Sequence, residues 1–380
     1  MLRIQGNKIV DNNGKEIILR GIALGGWLMM EGYMLGGENI PETRFKGNLA
    51  KAAGVEILEE FIWEFRKRFI TEEDAERIKK LGFNCVRIPF NHKVIDPRGM
   101  ELLKQAVAWF TKRKIYVILD MHAVPGCQNK DWHADSCGEM LFYSQKENQD
   151  RYVDLWKELS KVFKNEEYVA AYDIMNEPVT QDLETLKEAY RAVIKIVRDQ
   201  DDQHIIFLEG NMWAQEVEFL ADIVNENRNN NVALSVHFYE PVEFVFNQDS
   251  SLKYPGVVKG KSWSKDSIHQ KLSSYAKYDV PIYVGEWGVA SDAADRGAYD
   301  WVKDTLKVMD DLKYHWTYWT YKSVKGMQFP DGLYQCSAPE NILAGMDKIA
   351  AQLTSDKKKF YQHLDTKKFN LNEKVKQIIS

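Results

Sequence analysis

Eight nearly all-apolar segments, separated by helical patterns, predict an α/β fold of the (β/α)8 TIM-barrel type. Two further observations agree with it. The chain has 380 residues, too many for one small domain and within range of one large barrel. Polar and acidic residues gather at the C-terminal tips of the segments, where such a barrel carries its active site.

The elements follow in order. "RIQGNKIV" and "KEIILRG" flank the turn sequence "DNNG", which predicts an N-terminal β-hairpin. Strands are expected at 17–25, 84–90, 116–122, 169–177, 204–210, 232–240, 281–288 and 315–322. Each is almost continuous in apolar residues, as strands covered on both faces by crossover helices must be. "TEEDAERIKKLG" opens on Thr71 with an acidic first turn and closes on Gly82, the chemistry of a helix start and stop. "NQDRYVDLWKELSKVFK" and "DLETLKEAYRAVIKIVRDQ" place apolar residues at helical spacing, and "NILAGMDKIAAQL" is the last barrel helix. No internal repeat or low-complexity linker interrupts the pattern. Residues 1–355 therefore read as a single domain, and the lysine-rich 356–380 as a short peripheral C-terminal extension, a solvated helix. The long segment 241–263 after strand six reads as a wall of a cleft.

Composition excludes several classes. Apolar residues make up 44%, enough for a packed core, and the net charge of −5 argues against nucleic acid as a partner. No apolar run reaches membrane-spanning length, so no membrane is expected. No charged-then-apolar leader opens the chain, which predicts a cytoplasmic protein as written, or a secreted one if a leader was removed. The cysteines are Cys85, Cys127, Cys137 and Cys336, too few for a disulfide scaffold in so long a chain. Cys127 and Cys137 share the loop "GCQNKDWHADSCGE" with His133 and Asp135. A disulfide or a zinc site is conceivable there, but the spacing matches no standard ligand pattern; free thiols and no metal are expected.

The stretch "AAYDIMNEPVT" raises the chemical question. A buried strand ends there in Asn176 and Glu177, then in Pro178. Burying an unpaired carboxylate is costly, so such a residue is either paired or used. Strand seven carries a second one, Glu286. Strands four and seven face each other across a barrel of eight, which suits the paired carboxylates of glycoside hydrolysis. One must be protonated to serve the leaving oxygen, and the other ionised to attack or to activate water. Arg87 on strand two would keep Glu286 anionic. Glu177 would need a less polar, partly desolvated place that raises its pKa. Asn176 is placed to donate to a sugar hydroxyl. The remaining tips offer His122, His237, Tyr239 and Trp319, and strand one runs into Trp27 and Glu31.

Aromatics make up 12% of the chain, and sugar C–H faces pack on flat rings. Trp27, Trp132 and Trp213 fall in or near the top loops; each is a stacking candidate, with core packing as the alternative. Glu209 at the tip of strand five is a third carboxylate, either a partner or a decoy. Any one of these residues is more often structural than functional; their joint placement at one mouth carries the reading.

In the same order along the chain, "VRIPF" (86–90), "ILDMH" (118–122), "DIMNEP" (173–178), "VHFYEP" (236–241) and "VGEWG" (284–288) resemble the signature segments of glycoside hydrolase family 5, within the clan A retaining β-glycosidases. The resemblance implies a retaining mechanism on a β-linked oligosaccharide or polysaccharide. By position it implies Glu177 as acid/base and Glu286 as nucleophile. Arg87, His122, Asn176, His237, Tyr239 and Trp319 match substrate-site positions, with Tyr239 bonded to the nucleophile. It implies no metal and no organic cofactor. "LRGIALGGWLMMEGYM" and "DMHAVPGCQN" are similar to the exo-β-1,3-glucanase branch, where the glutamate matching Glu31 binds the terminal sugar and closes the cleft into a pocket. Gly32 stands where that branch has proline, and "KDWHADSCGE" departs from its loop. An exo-acting β-glucosidase or exo-β-glucanase is the expectation. An endo-acting β-1,4-glucanase or β-mannanase is the alternative, and a non-catalytic sugar-binding barrel the reading from another class.

Overall fold

The computed structural model of the chain describes residues 1–326, 328–336 and 346–380. Eight parallel strands close into a barrel: β1 (Arg20–Ala23), β2 (Cys85–Asn91), β3 (Tyr116–Ala123), β4 (Val169–Asp173), β5 (Ile205–Glu209), β6 (Val232–Phe238), β7 (Ile282–Trp287) and β8 (His315–Tyr318). Each lies inside its predicted segment or overruns it by one residue. The observed strands are shorter at several tips because the chain leaves the ladder there to form the top loops. In β4 the ladder ends at Asp173, so Asn176 and Glu177 stand beyond the strand rather than in it.

Local chemistry sets the helix ends as expected. Thr71 and Asp74 form a capping box at the start of Glu72–Lys80, and Gly82, at φ +90°, follows its end. The helices Lys146–Phe163 and Leu183–Arg198 bury one apolar face each. The predicted last helix, 341–353, falls partly outside the described residues; its described part belongs to Met346–Ser355.

Three elements differ from expectation. The N-terminal hairpin pairs Arg3–Gln5 with Lys8–Val10 across Gly6 and Asn7, while "DNNG" closes only an isolated bridge between Val10 and Glu16. The segment 241–263 does line the cleft as expected, through Val242 and Phe246, but it is no plain loop: it folds into a short helix, Val242–Val245, and a hairpin, Gly256–Val258 with Lys261–Trp263. The tail is not one solvated helix. It forms Lys357–Gln362, a strand at Asn370–Leu371 that pairs antiparallel with Tyr334–Cys336, and a helix, Glu373–Ile379, against Ala298–Leu312. Its lysines face water, but Phe360, Leu364, Phe369, Val375 and Ile379 are buried in the main core.

Lys322, fully buried just past β8, ties this tail down. Its Nζ donates to the Phe69 carbonyl at 2.5 Å, to the Leu364 carbonyl at 2.8 Å and to Thr366 Oγ1 at 2.8 Å. Burial pulls its pKa down to about 7. Among the described residues no helix is long and apolar enough to cross a membrane.

Candidate active site

Arg87 organises the barrel interior. It sits on β2 with no exposed surface, and its guanidinium meets four carboxylates from four other strands. Nε donates to Asp173 Oδ2 at 3.0 Å and Nη1 to Glu286 Oε1 at 2.5 Å. Nη2 lies 2.9 Å from Glu209 Oε1 and 3.1 Å from Asp120 Oδ2, and it also bonds Asn176 Oδ1 at 2.9 Å. Parallel register produces this convergence: Asp120 and Asp173 are ladder partners across β3 and β4. Four acids exceed one cation. Burial, with the Glu209 charge beside it, pushes Asp173 well above the usual carboxylate range despite Arg87. Asp120, Asp173 and Glu209 have the spacing to hold a cation, and the guanidinium already bonds all three.

Glu286 ends up with both oxygens engaged. Arg87 takes Oε1, and the Tyr239 hydroxyl donates to Oε2 at 2.9 Å. A register shift in β7 between Val284 and Glu286 aligns Glu286 with His237 of β6. The expected partnership of Arg87 and Tyr239 with this carboxylate is present in the geometry.

Glu177 is held by its backbone as much as by its side chain. Its φ of +45° lies in the left-handed region, which a residue with a Cβ adopts at a cost of about 1–3 kcal/mol. Three bonds hold it there. The Glu177 N–H donates to Glu209 Oε2 at 2.6 Å, Asn129 Nδ2 donates to the Glu177 carbonyl at 2.8 Å, and Gln128 Nε2 donates to the Asn176 carbonyl at 2.8 Å. Glu209 is therefore a partner and not a decoy.

The Glu177 carboxylate lies between two imidazoles. His237 Nδ1 is 2.6 Å from Oε1, and His133 Nε2 is 3.1 Å from Oε2. This corrects one expectation. Burial does push the Glu177 pKa up, but hydrogen bonds from His133 and His237 outweigh it and hold the group well below the usual range. Neighbouring acids hold both imidazoles as cations against burial, which lowers them: Glu177 brings His133 up to about 9, and the Glu209 charge, then Glu286 and Glu177, raise His237 well above its ordinary value. Between Glu177 and its two histidines the protons stand on histidine.

A cleft of about 400 Å³ opens over these groups. Glu177 and Glu286 face it, and its walls take Glu31, His122, Trp132, Tyr239 and Trp319. The Trp319 ring stacks on His122 at 5.5 Å and 6°, and its Nε1 donates to the Tyr33 hydroxyl at 2.6 Å. Glu31 is buried, with Oε1 lacking a hydrogen bond and 3.6 Å from His122 Nε2. Burial raises its pKa to about 7, even though His122 pulls the other way. Arg87, Asn176 and His237 are buried behind the carboxylates. Asn176 spends its oxygen on Arg87, which leaves its Nδ2, 3.4 Å from His122 Nε2, as the available donor.

Trp27 does not belong to the site. It is fully buried, donates from Nε1 to the Arg66 carbonyl and stacks on Trp109, because the chain after β1 turns its indole outward onto the helix layer. Trp213, 38% exposed, does line the cleft and donates to Asp131 Oδ2 at 2.8 Å.

Tyr33, Phe246 and Phe329 are cleft residues not singled out in the sequence. They extend a belt of touching rings, Trp132–Phe329 at 5.9 Å, Tyr33–Phe329 at 5.1 Å, Phe246–Phe329 at 4.9 Å and Tyr239–Phe246 at 5.1 Å. Tyr33 follows Glu31 by two positions, which is its sequence signal; Phe246 and Phe329 carry no local signal. In the loop considered for zinc, His133 faces Glu177, Asp135 accepts from Lys93 Nζ at 2.7 Å, and the cysteines are free thiols.

Known proteins share this arrangement of strands. The family model Cellulase (glycosyl hydrolase family 5) matches residues 43–325. The chain is similar to a β-xylosidase of Phanerodontia chrysosporium, 31% identical over 343 residues, 85% of this chain and 71% of the relative. It is similar to endoglucanase C of Acetivibrio thermocellus, 24% identical over 74% of this chain and 92% of the relative. It is also similar to glucan 1,3-β-glucosidase 2 of Saccharomyces cerevisiae, 25% identical over 77% of this chain and 62% of the relative. Its fold is like that of the endoglucanase Cel5A of Thermotoga maritima, with a TM-score of 0.64 at 18% identity over 95% of this chain and 97% of that one. The chain belongs to glycosyl hydrolase family 5 and is an O-glycosyl hydrolase of the retaining type.

Proposed function

We propose that the chain hydrolyses β-linked gluco-oligosaccharides by double displacement, with Glu286 as nucleophile and Glu177 as acid/base, releasing single sugars from the non-reducing end. One observation carries the mechanism. A carboxylate oxygen of Glu177 and one of Glu286 lie within 4.8 Å of each other. Inverting enzymes need roughly 6.5–9.5 Å between the two groups to seat a water, whereas retaining ones use about 5–5.5 Å.

Arg87 and Tyr239 hold the Glu286 carboxylate aimed as it attacks the anomeric carbon. Glu177 gives its proton to the leaving oxygen, then takes one from the water that releases the sugar. The oxygen of Glu31 without a hydrogen bond supports the exo reading. It is a buried acceptor facing the cleft, and a terminal sugar hydroxyl would complete it. The ring belt beside it offers an apolar face for the sugar. The similarity to a β-xylosidase favours a second reading, the same exo action on β-xylosides.

The test uses β-1,3- and β-1,4-gluco-tetraoses and β-1,4-xylo-tetraose labelled at the reducing end, with Glu286→Gln beside the parent enzyme. Label appearing first on a trimer, with the variant inactive, supports exo action and names the sugar. Label spread early over dimers and shorter products makes the site an open, endo-acting cleft. Equal cutting by the variant overturns the assignment of Glu286.

A further inference from the structure

His133 lies in the loop that departs from the exo-glucanase pattern, and its position gives one nitrogen two partners. Nε2 is 3.1 Å from Glu177 Oε2 and also 3.1 Å from Asn129 Nδ2. The orientation of the Asn129 amide is fixed independently. Its Oδ1 accepts the Asp131 N–H at 2.8 Å, and its Nδ2 donates to the Glu177 carbonyl at 2.8 Å. The second hydrogen on Nδ2 is thus left for His133. A protonated Nε2 donates to the Glu177 carboxylate; a deprotonated Nε2 accepts from Asn129. The nitrogen is satisfied in either state.

His237 has no such alternative. Its Nδ1 meets Glu177 and its Nε2 faces Glu209 Oε1 at 3.3 Å, so its protons lie between two carboxylates. The His133 loop is rigidly tied. Asp135 accepts from the Thr43 N–H at 2.7 Å, Thr43 Oγ1 at 2.7 Å, Asn91 Nδ2 at 2.9 Å and Lys93 Nζ at 2.7 Å. The Trp132 ring packs edge-on against the imidazole at 5.4 Å. The ionisable groups that bear on His133 are Glu177, Asp131, Glu31 and His122, whose ring lies 6.3 Å away.

We propose that His133 is a positioning residue that stores the proton Glu177 delivers, passing it across the Nε2–Oε2 contact and taking it back once the sugar is released. This rests on Glu177 being the acid/base. In the first step the Nε2–H bond breaks and an Oε2–H bond forms, leaving a neutral imidazole on Asn129. Glu177 then protonates the glycosidic oxygen as its bond to the anomeric carbon breaks and the bond to Glu286 forms. In the second step water attacks that carbon, Glu286 leaves, Glu177 takes the water's proton and Nε2 recovers it. The proton count closes over one turnover.

The experiment measures kcat/KM against pH for phenyl and 2,4-dinitrophenyl β-glucosides and β-xylosides. Phenol needs a proton to leave; dinitrophenol does not. His133→Gln keeps an amide donor beside Glu177 without titrating, and His133→Ala removes it. The basic limb for the phenyl substrate is expected to move to lower pH by about one unit or more in both variants, with the dinitrophenyl profile keeping its shape. A limb that stays in place, or equal losses on both substrates, overturns the proposal. Glu177→Gln separates the two ideas: if it still cleaves the phenyl substrate, the acid assignment itself fails. ¹⁵N-histidine spectra of the parent enzyme give a readout that needs no His133 variant. His133 Nε2 should carry its proton beyond pH 8 and lose it near about pH 6.5 in Glu177→Gln. Titration at the ordinary histidine value in the parent overturns the proposal.

Discussion

Arg87 donates from Nη1 to Oε1 of Glu286 at 2.5 Å, and the guanidinium has no exposed surface at all. The same group also contacts Asp120, Asp173 and Glu209. Arg87→Met is expected to lose activity and about 3–5 kcal/mol of stability at neutral pH, since it strands buried charges. Without the guanidinium the buried acids are expected to take up protons in the folded chain, while the unfolded chain leaves them ionised. The unfolded state then binds fewer protons, so the variant's stability falls as pH rises. Urea unfolding at pH 5 and pH 8 should therefore show the larger deficit at pH 8.

Tyr239 and Glu286 form a simpler pair. The hydroxyl is aimed at Oε2 at 2.9 Å, a hydrogen bond to an ionised group worth roughly 1.5–3 kcal/mol. With Glu286 as the proposed nucleophile, Tyr239→Phe should lower kcat about 10- to 100-fold on an aryl glycoside with little change in KM, because the bond would position Glu286 rather than hold substrate.

The burial of Glu31 carries a stability cost. Its pKa in the fold is about 7, above the ordinary 4.5. Between those values the unfolded chain has released its proton and the folded one has not, so stability falls as pH rises through this window. Glu31→Gln removes the penalty. It should match the parent below pH 4.5 and gain up to about 3 kcal/mol by pH 8, while losing affinity for the terminal sugar. Thermal melts across that range, with KM beside them, check both halves.

The tail supplies core. Leu364 is fully buried, and its carbonyl holds the Lys322 ammonium. Leu364→Ala should cost about 3 kcal/mol in urea unfolding and leave kcat/KM of the folded enzyme unchanged.

The barrel was legible because its strands are covered on both faces, and apolar runs of that kind need no partner to be recognised. Glu177 and Glu286 stood out for the same reason in reverse, as acids at the tips of such runs. The charge state of Glu177 was not legible. It depends on His133, 44 positions earlier in a loop whose sequence matches no standard ligand pattern, and on a backbone turn that points both groups at one spot. Trp27 misled because a tip residue can point to either side, and its indole found the Arg66 carbonyl in the helix layer. The tail misled because its lysines dominate its composition, while Phe360 and Leu364, four positions apart, do the packing.

The burial of the Arg87 network has a consequence for ionic strength. Dissolved ions screen charges that water can reach, over roughly 10 Å at 0.1 M salt, and they do not enter a packed barrel interior. Arg87, Asp120, Asp173 and Glu209 have no exposed surface. The field that holds Glu286 in place is therefore insulated from the medium, and on the proposed assignment the catalytic step inherits that insulation. Brine and dilute buffer would present the reacting sugar with nearly the same arrangement of charge.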